Sequence, residues 1–161
     1  MCEVRKVKSS EIFPIIREVL QGGRRAWITV TGMSMYPFLR EHKDSVELSE
    51  ACLESVGRGD IVLIRRLNGE YILHRIIKKD GDLFYIMGDA QRWLEGPLKR
   101  EQLMAVVTAV SRKDHRFSCR NRLWRCLSAV WVNIVPYRKI ILRGMGFLLQ
   151  SGEGHENYRR V

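Results

Sequence analysis

Three short stretches of this 161-residue chain hold residues suited to nucleophilic attack and proton transfer. The first is Thr31-Gly32-Met33-Ser34-Met35-Tyr36-Pro37-Phe38-Leu39. A strand runs into Gly32, which permits a sharp turn; Ser34 follows, and Pro37 fixes the exit. A nucleophilic serine needs this setting, with its hydroxyl held out of the strand and a backbone amide free to meet an oxyanion. A turn serine that only satisfies its own loop uses the same residues, and is the commoner case. The second stretch is Tyr71-Ile72-Leu73-His74-Arg75-Ile76-Ile77. Period two puts Ile72, His74 and Ile76 on one face and Tyr71, Leu73, Arg75 and Ile77 on the other. Neither face is polar, so the strand is expected to be buried on both sides. A buried histidine serves either as a hydrogen-bonded core residue or, with an ordinary pKa near 6.5, as a general base. The third stretch is Met87-Gly88-Asp89-Ala90-Gln91, with Glu95 shortly after. A strand ends at Gly88 and a carboxylate stands at its exit. An Asx-type turn accounts for Asp89 alone; the chemical reading is an acid that orients His74 or braces the site.

Taken together these stretches carry a resemblance. Gly-x-Ser-Met-x-Pro, then an apolar strand with His-Arg about 40 residues on, then Gly-Asp-Ala, resembles the signal peptidase I family of serine peptidases. Gly59-Asp60-Ile61-Val62, opening a strand between the first two motifs, matches as well. The resemblance covers roughly Ile28 to Ser111. It implies that Ser34 is the nucleophile and that His74 is the base. Bacterial-type members have a lysine there, whereas the endoplasmic-reticulum and archaeal-type branch has a histidine. A lysine needs burial to bring its pKa down from near 10.4; a histidine needs little tuning. The resemblance further implies that Asp89 braces the site and that an acid a few residues on completes a triad. Glu95 stands closest to that place, where aspartate is usual. Gly32, Met35 and Pro37 would support the turn and the oxyanion, and Arg75 and Gly88 the surrounding structure. Gly32 occupies a position where family members often have a serine that helps the oxyanion hole. The resemblance implies a mainly β body, which this family shares with LexA-type self-cleaving repressors.

The elements that must position these residues are mostly strands. Strand signals fall at Ala26–Thr31, Ser45–Leu48, Asp60–Arg66, Glu70–Ile77, Leu83–Met87 and Met104–Val110. Asn68-Gly69 is a strong hairpin turn, and Lys79-Asp80-Gly81-Asp82 has turn chemistry. Short strands at this spacing predict a compact sandwich or barrel-like body over residues 26–112. Before it, residues 1–25 predict an amphipathic helix. Ser10 would cap it, Ile12, Ile16, Val19 and Leu20 would share a face, and Gly22-Gly23 would end it. Such a segment could at best lie on a membrane surface, in contrast to the amino-terminal anchor of typical signal peptidases.

The chain carries 28 Lys and Arg against 18 Asp and Glu, a net charge of +10. Residues 1–111 hold 17 basic and 15 acidic side chains, whereas residues 112–143 hold nine basic residues and only Asp114. Residues 113–149 therefore predict a basic, apolar, helical extension, followed by a polar tail over 150–161. Trp124 and Trp131 among arginines and aliphatics fit either an interfacial surface or a helix packed on the protein's own core. Cys2, Cys52, Cys119 and Cys126 are scattered without a CxxC pair, so no metal site and no cofactor is expected, and the thiols are expected to be reduced and partly buried. The expected function is a serine endopeptidase cleaving a leader or signal peptide; the alternative is an inactive peptidase-like module that binds a membrane or a peptide. The expected partners are that peptide and, through residues 112–149, an anionic membrane surface, ahead of nucleic acid. The expected location is peripheral on a membrane, or else cytoplasmic.

Overall fold

The computed structural model describes residues 9–113 and 115–145, apart from the side chains of Ser9 and Ser10. The Ser10 cap, the extension beyond residue 145 and the tail over 150–161 lie outside the described residues.

The fold is mainly β. Strands β1 (Ala26–Thr29), β2 (Asp44–Ser49), β3 (Ile61–Arg65), β4 (Tyr71–Asp80), β5 (Leu83–Met87), β6 (Glu95–Lys99), β7 (Leu103–Arg112) and β8 (His115–Ser118) form one sheet. Its order is β1-β2-β7-β3-β4-β5-β6, with β8 also on β7, and every pairing is antiparallel. Strand β7 pairs with β2 along one edge; on the other it gives its first half to β3 and its second half to β8. Helix α1 (Ser9–Gln21) precedes the sheet, and α2 (Arg122–Asn133) and α3 (Arg138–Gly144) follow it.

The hairpins close where turn chemistry demands. Gly69 takes φ +88°, a region that glycine enters without a Cβ clash. Its amide donates to the Arg66 carbonyl at 2.9 Å and the Arg66 amide to the Glu70 carbonyl at 2.8 Å. The first seven residues of β4 pack on both faces, with His74, Arg75 and Ile76 fully buried. Ile72 and Ile76 pack with Val62, Ile64, Phe84, Ile86 and Leu98. Tyr71 and Leu73 pack on the opposite face with Ile16, Leu20, Met35, Leu39 and Leu63.

Two strands depart from expectation. No strand is expected over residues 95–99, but pairing of Phe84 with Leu98 and of Ile86 with Glu95 holds β6 as an edge strand, where Pro97 is tolerated. Strand β8 is short and mostly exposed, so its polar sequence carries no alternation to read.

Helix α1 lies on the sheet. Ile16 and Leu20 are buried with Ile12 and Phe13 packed beside them, and Phe13 stacks on Tyr71 with ring centroids 4.3 Å apart. Each fully buried aliphatic contributes roughly 1.5–3 kcal/mol. The helix ends at Gly22-Gly23: Gly23 takes φ +72°, and the Arg24 amide donates to the Val19 carbonyl at 3.2 Å. Helices α2 and α3 pack inward through Trp131, Val132 and Leu142, with Trp131 and Leu142 clustering against Ala90, Tyr36 and Phe38. Their opposite side leaves Leu123, Leu127, Val130, Tyr137 and Ile140 exposed.

Candidate active site

The loop after β1 carries Ser34 and is pinned from below by Met35 and Leu39, both buried in the core. Gly32 takes φ +81°, so the turn requires the glycine that the sequence provides. Its amide, however, donates to Glu41 Oε1 at 2.8 Å. That amide is therefore engaged, and the expected oxyanion support from Gly32 reduces to shaping the turn. The amide of Ser34 itself donates to no group among the described residues. Ser34 is half-buried.

Ser34 is locked onto the Gly88-Asp89-Ala90 turn. The Ala90 amide donates to the Ser34 carbonyl at 2.8 Å. A Cβ on Gly88 would come within 2.7 Å of that same carbonyl oxygen and within 2.8 Å of Gln91 Oε1. Only a residue without a side chain lets the two segments approach this closely.

Below the turn lies a fully buried ion pair. Arg75 Nε donates to Asp89 Oδ1 at 2.8 Å and Arg75 Nη2 to Asp89 Oδ2 at 2.7 Å. Arg75 Nη1 reaches the Gly59 carbonyl at 2.6 Å, and the guanidinium carbon lies 4.5 Å from the centre of the Phe38 ring. Both oxygens of Asp89 are thus spent on Arg75. Asp89 ties its turn to Arg75 and makes no contact with His74. The Trp131 indole donates to the Asp89 carbonyl at 3.2 Å. Arg138, itself buried, donates to the Gly88 carbonyl at 3.3 Å and to the Trp131 carbonyl at 3.0 Å. Burial lowers the pKa of Arg138. The carboxy-terminal helices therefore clamp the turn that holds Ser34, a role that nothing in the local sequence of residues 122–144 announces.

His74 points to the other face of β4 and is buried. The acid beside it is Glu95, on β6, whose Oε2 stands 3.9 Å from His74 Nδ1. That is too long for a hydrogen bond, and Nδ1 has no partner. Glu95 is instead held by Arg66: Nε donates to Oε1 and Nη2 to Oε2, each at 2.7 Å. Burial, reinforced by the Arg66 charge, pushes the His74 pKa down to about 3. His74 is thus neutral at working pH, and its approach to Glu95 is not an ion pair. Ser34 and His74 are not hydrogen-bonded to one another. The structure thus does not itself bring the expected nucleophile and base into contact.

The expected residues thus fall into two linked groups, Ser34 with Gly88, Asp89 and Arg75, and His74 with Glu95. The sequence reading missed Glu41, Arg66, Trp131 and Arg138. Arg66 had one usable signal, its place at the start of the Asn68-Gly69 hairpin that ends the strand facing His74. Among the described residues no cluster of histidine, cysteine and carboxylates could hold a metal ion. No family model matches the chain. No curated protein matches it either, so what its site does must be read from the geometry of Ser34, His74 and their neighbours.

Proposed function

We propose that the chain is a serine endopeptidase of signal-peptidase-like type, with Ser34 as nucleophile and His74 as general base. The observation that carries this reading is the 2.8 Å hydrogen bond from the Ala90 amide to the Ser34 carbonyl, which fastens the serine turn to the Gly-Asp turn. A serine that merely closed its own loop would need no such partner 56 residues away. In the proposed reaction Ser34 Oγ attacks the scissile carbonyl carbon and its proton passes to His74. The Ser34 amide meets the developing oxyanion. The C–N bond then breaks as His74 gives the proton to the leaving amine. Water attacks the resulting ester, His74 takes its proton, and that proton returns to Ser34 Oγ as the acid product leaves.

The test is digestion of a pooled set of synthetic leader-type peptides with small residues before the scissile bond, read by mass spectrometry. The wild type cleaves at defined bonds, and Ser34→Ala loses that cleavage by a factor on the order of 10⁶. Equal cleavage by the variant refutes the mechanism. Specific binding of those peptides without cleavage supports the inactive peptide-binding module instead, a reading favoured by the engagement of the Gly32 amide by Glu41.

The same reading puts the protein at the surface of an anionic membrane. Residues 115–145 contain seven Lys and Arg and no Asp or Glu. Arg116 pairs with Glu47 and Arg138 is buried; Arg120, Arg122, Arg125, Lys139 and Arg143 make no ion pair among the described residues. They flank the exposed Leu123, Leu127, Val130, Tyr137 and Ile140. Apolar side chains for the acyl boundary and cations for the headgroups are what an interfacial helix pair needs, each cation contributing about 1 kcal/mol near such a surface. No helix among the described residues is long and apolar enough to cross a membrane. Sedimentation with vesicles containing phosphatidylglycerol, lost in Ile140→Glu, supports this docking. Equal binding to neutral vesicles, or tighter binding to oligonucleotides at the same salt, contradicts it.

A further inference from the structure

Arg66 stands behind the proposed base rather than in the proposed chemistry. It follows the last residue of β3, at the mouth of the β3–β4 hairpin, and its side chain is largely buried. Its fork grips both oxygens of Glu95, and Nη1 also reaches Glu70 at 2.9 Å. Glu95 is itself buried, so without Arg66 it would be a charge removed from water with no cation to compensate it. The planar fork also fixes how the carboxylate is turned. So held, Oε2 stops 3.9 Å from His74 Nδ1, a buried nitrogen that makes no hydrogen bond. Closing that gap by about 1 Å makes a hydrogen bond from Nδ1–H to the carboxylate, which leaves Nε2 as the basic nitrogen.

We infer that Arg66 is a positioning residue for the proposed reaction, holding Glu95 just short of His74 and balancing its negative charge so that the imidazole stays neutral. The inference rests on the serine-peptidase reading for its kinetic consequence, and for the state of His74 on its burial and on the Arg66–Glu95–His74 geometry.

The charged groups around His74 sort cleanly. From β6 comes Glu95, from the hairpin Arg66 and, bound to it, Glu70. On β4 itself Arg75 points to the opposite face and is matched by Asp89. The facing residues of β3 and β7, Val62 and Val106, are apolar. Arg66 is therefore the cation that acts on His74, and it lowers the proton affinity there. Its removal leaves the Glu95 carboxylate uncovered at 3.9 Å, and both changes favour the imidazolium. The sign is definite: the titration of His74 moves up.

The test is a histidine titration by nuclear magnetic resonance on the full chain, which needs no substrate. In the wild type His74 stays neutral from pH 8 down to about pH 4. In Arg66→Gln it titrates within that range, and in a cleavage assay the acid limb of kcat rises by at least one pH unit at little changed KM. Arg66→Lys keeps the charge and loses the fork, so His74 remains neutral while kcat falls about tenfold. If Arg66→Gln fails to fold, the lysine variant carries the test. His74 titrating near 6.5 in the wild type overturns the inference. So does an unmoved His74 in folded Arg66→Gln, or a lysine variant in which either His74 titrates or kcat is unchanged. Loss of the peptidase reading through Ser34→Ala would leave the titration result standing, so the two failures are distinguishable.

Discussion

Asp89→Asn tests how the serine turn is braced. The substitution keeps the size of the side chain but replaces one acceptor oxygen with an amide nitrogen, so a donor faces one arm of the Arg75 fork. Both partners are fully buried, and among the described residues the Gly59 carbonyl is the one further acceptor for Arg75. Removing one partner of such a pair costs about 3–5 kcal/mol, because the remaining charge stays out of water. At a urea slope of about 2 kcal/mol per molar, reasonable for a chain of this size, the unfolding midpoint falls by about 1.5–2.5 M. Replacing both partners, as in Arg75→Met with Asp89→Leu, removes the stranded charge and regains much of the loss. The double-mutant cycle should therefore show a coupling of at least about 2 kcal/mol. Urea unfolding followed by tryptophan fluorescence reads Asp89→Asn and the four proteins of the cycle. A loss under about 1 kcal/mol in Asp89→Asn, or single losses that simply add, would refute the idea that this pair holds the turn.

Three further outcomes follow from the same geometry. Gly88→Ala forces a Cβ to within 2.7 Å of the Ser34 carbonyl, so the serine turn must shift; stability falls by about 1–3 kcal/mol and peptide cleavage by a factor on the order of 10², and unchanged kinetics would contradict the close approach. Asp44 is pushed up by burial, but the Arg112 fork and the Arg40 amide more than offset this and hold its pKa below the ordinary 3.8. Its stabilising effect is thus present above that value and lost as pH falls through the lower folded one. Asp44→Asn should cost more at pH 7 than at pH 3 by urea midpoint, and equal costs would refute the assignment. Burial pushes the Cys119 thiol up to about 12, while Cys52 and Cys126 are exposed rather than partly buried as expected; alkylation at pH 8 mapped by mass spectrometry should mark the latter two and spare Cys119.

What the sequence made legible was whatever has a local cause. Two-faced apolarity marked β4, Asn68-Gly69 and Gly22-Gly23 marked their turns, and the serine and Gly-Asp motifs were visible as unusual chain segments. What it hid depends on distant partners. No strand is legible over residues 95–99 until β5 supplies the ladder for β6. Asp89 reads equally as brace or triad acid until Arg75 is seen to occupy both its oxygens. Trp131 and Arg138 lie in a segment whose composition suits lipid or core alike. The structure divides that segment, turning these two residues onto the Asp89 turn and leaving Leu127 and Ile140 outside. Arg66 belongs to a hairpin that looks like any polar turn, and only the folded register brings it to Glu95.

The central claim, that Ser34 is a nucleophile activated by His74, is tested most directly by covalent labelling. The full-length protein is treated with a serine-reactive peptidyl electrophile and the adduct is located by mass spectrometry after digestion. The account predicts one adduct on Ser34, absent from Ser34→Ala and strongly reduced in a folded His74→Ala variant. No adduct on the wild type, or an adduct on Ser34 that forms as fast without His74, would contradict it.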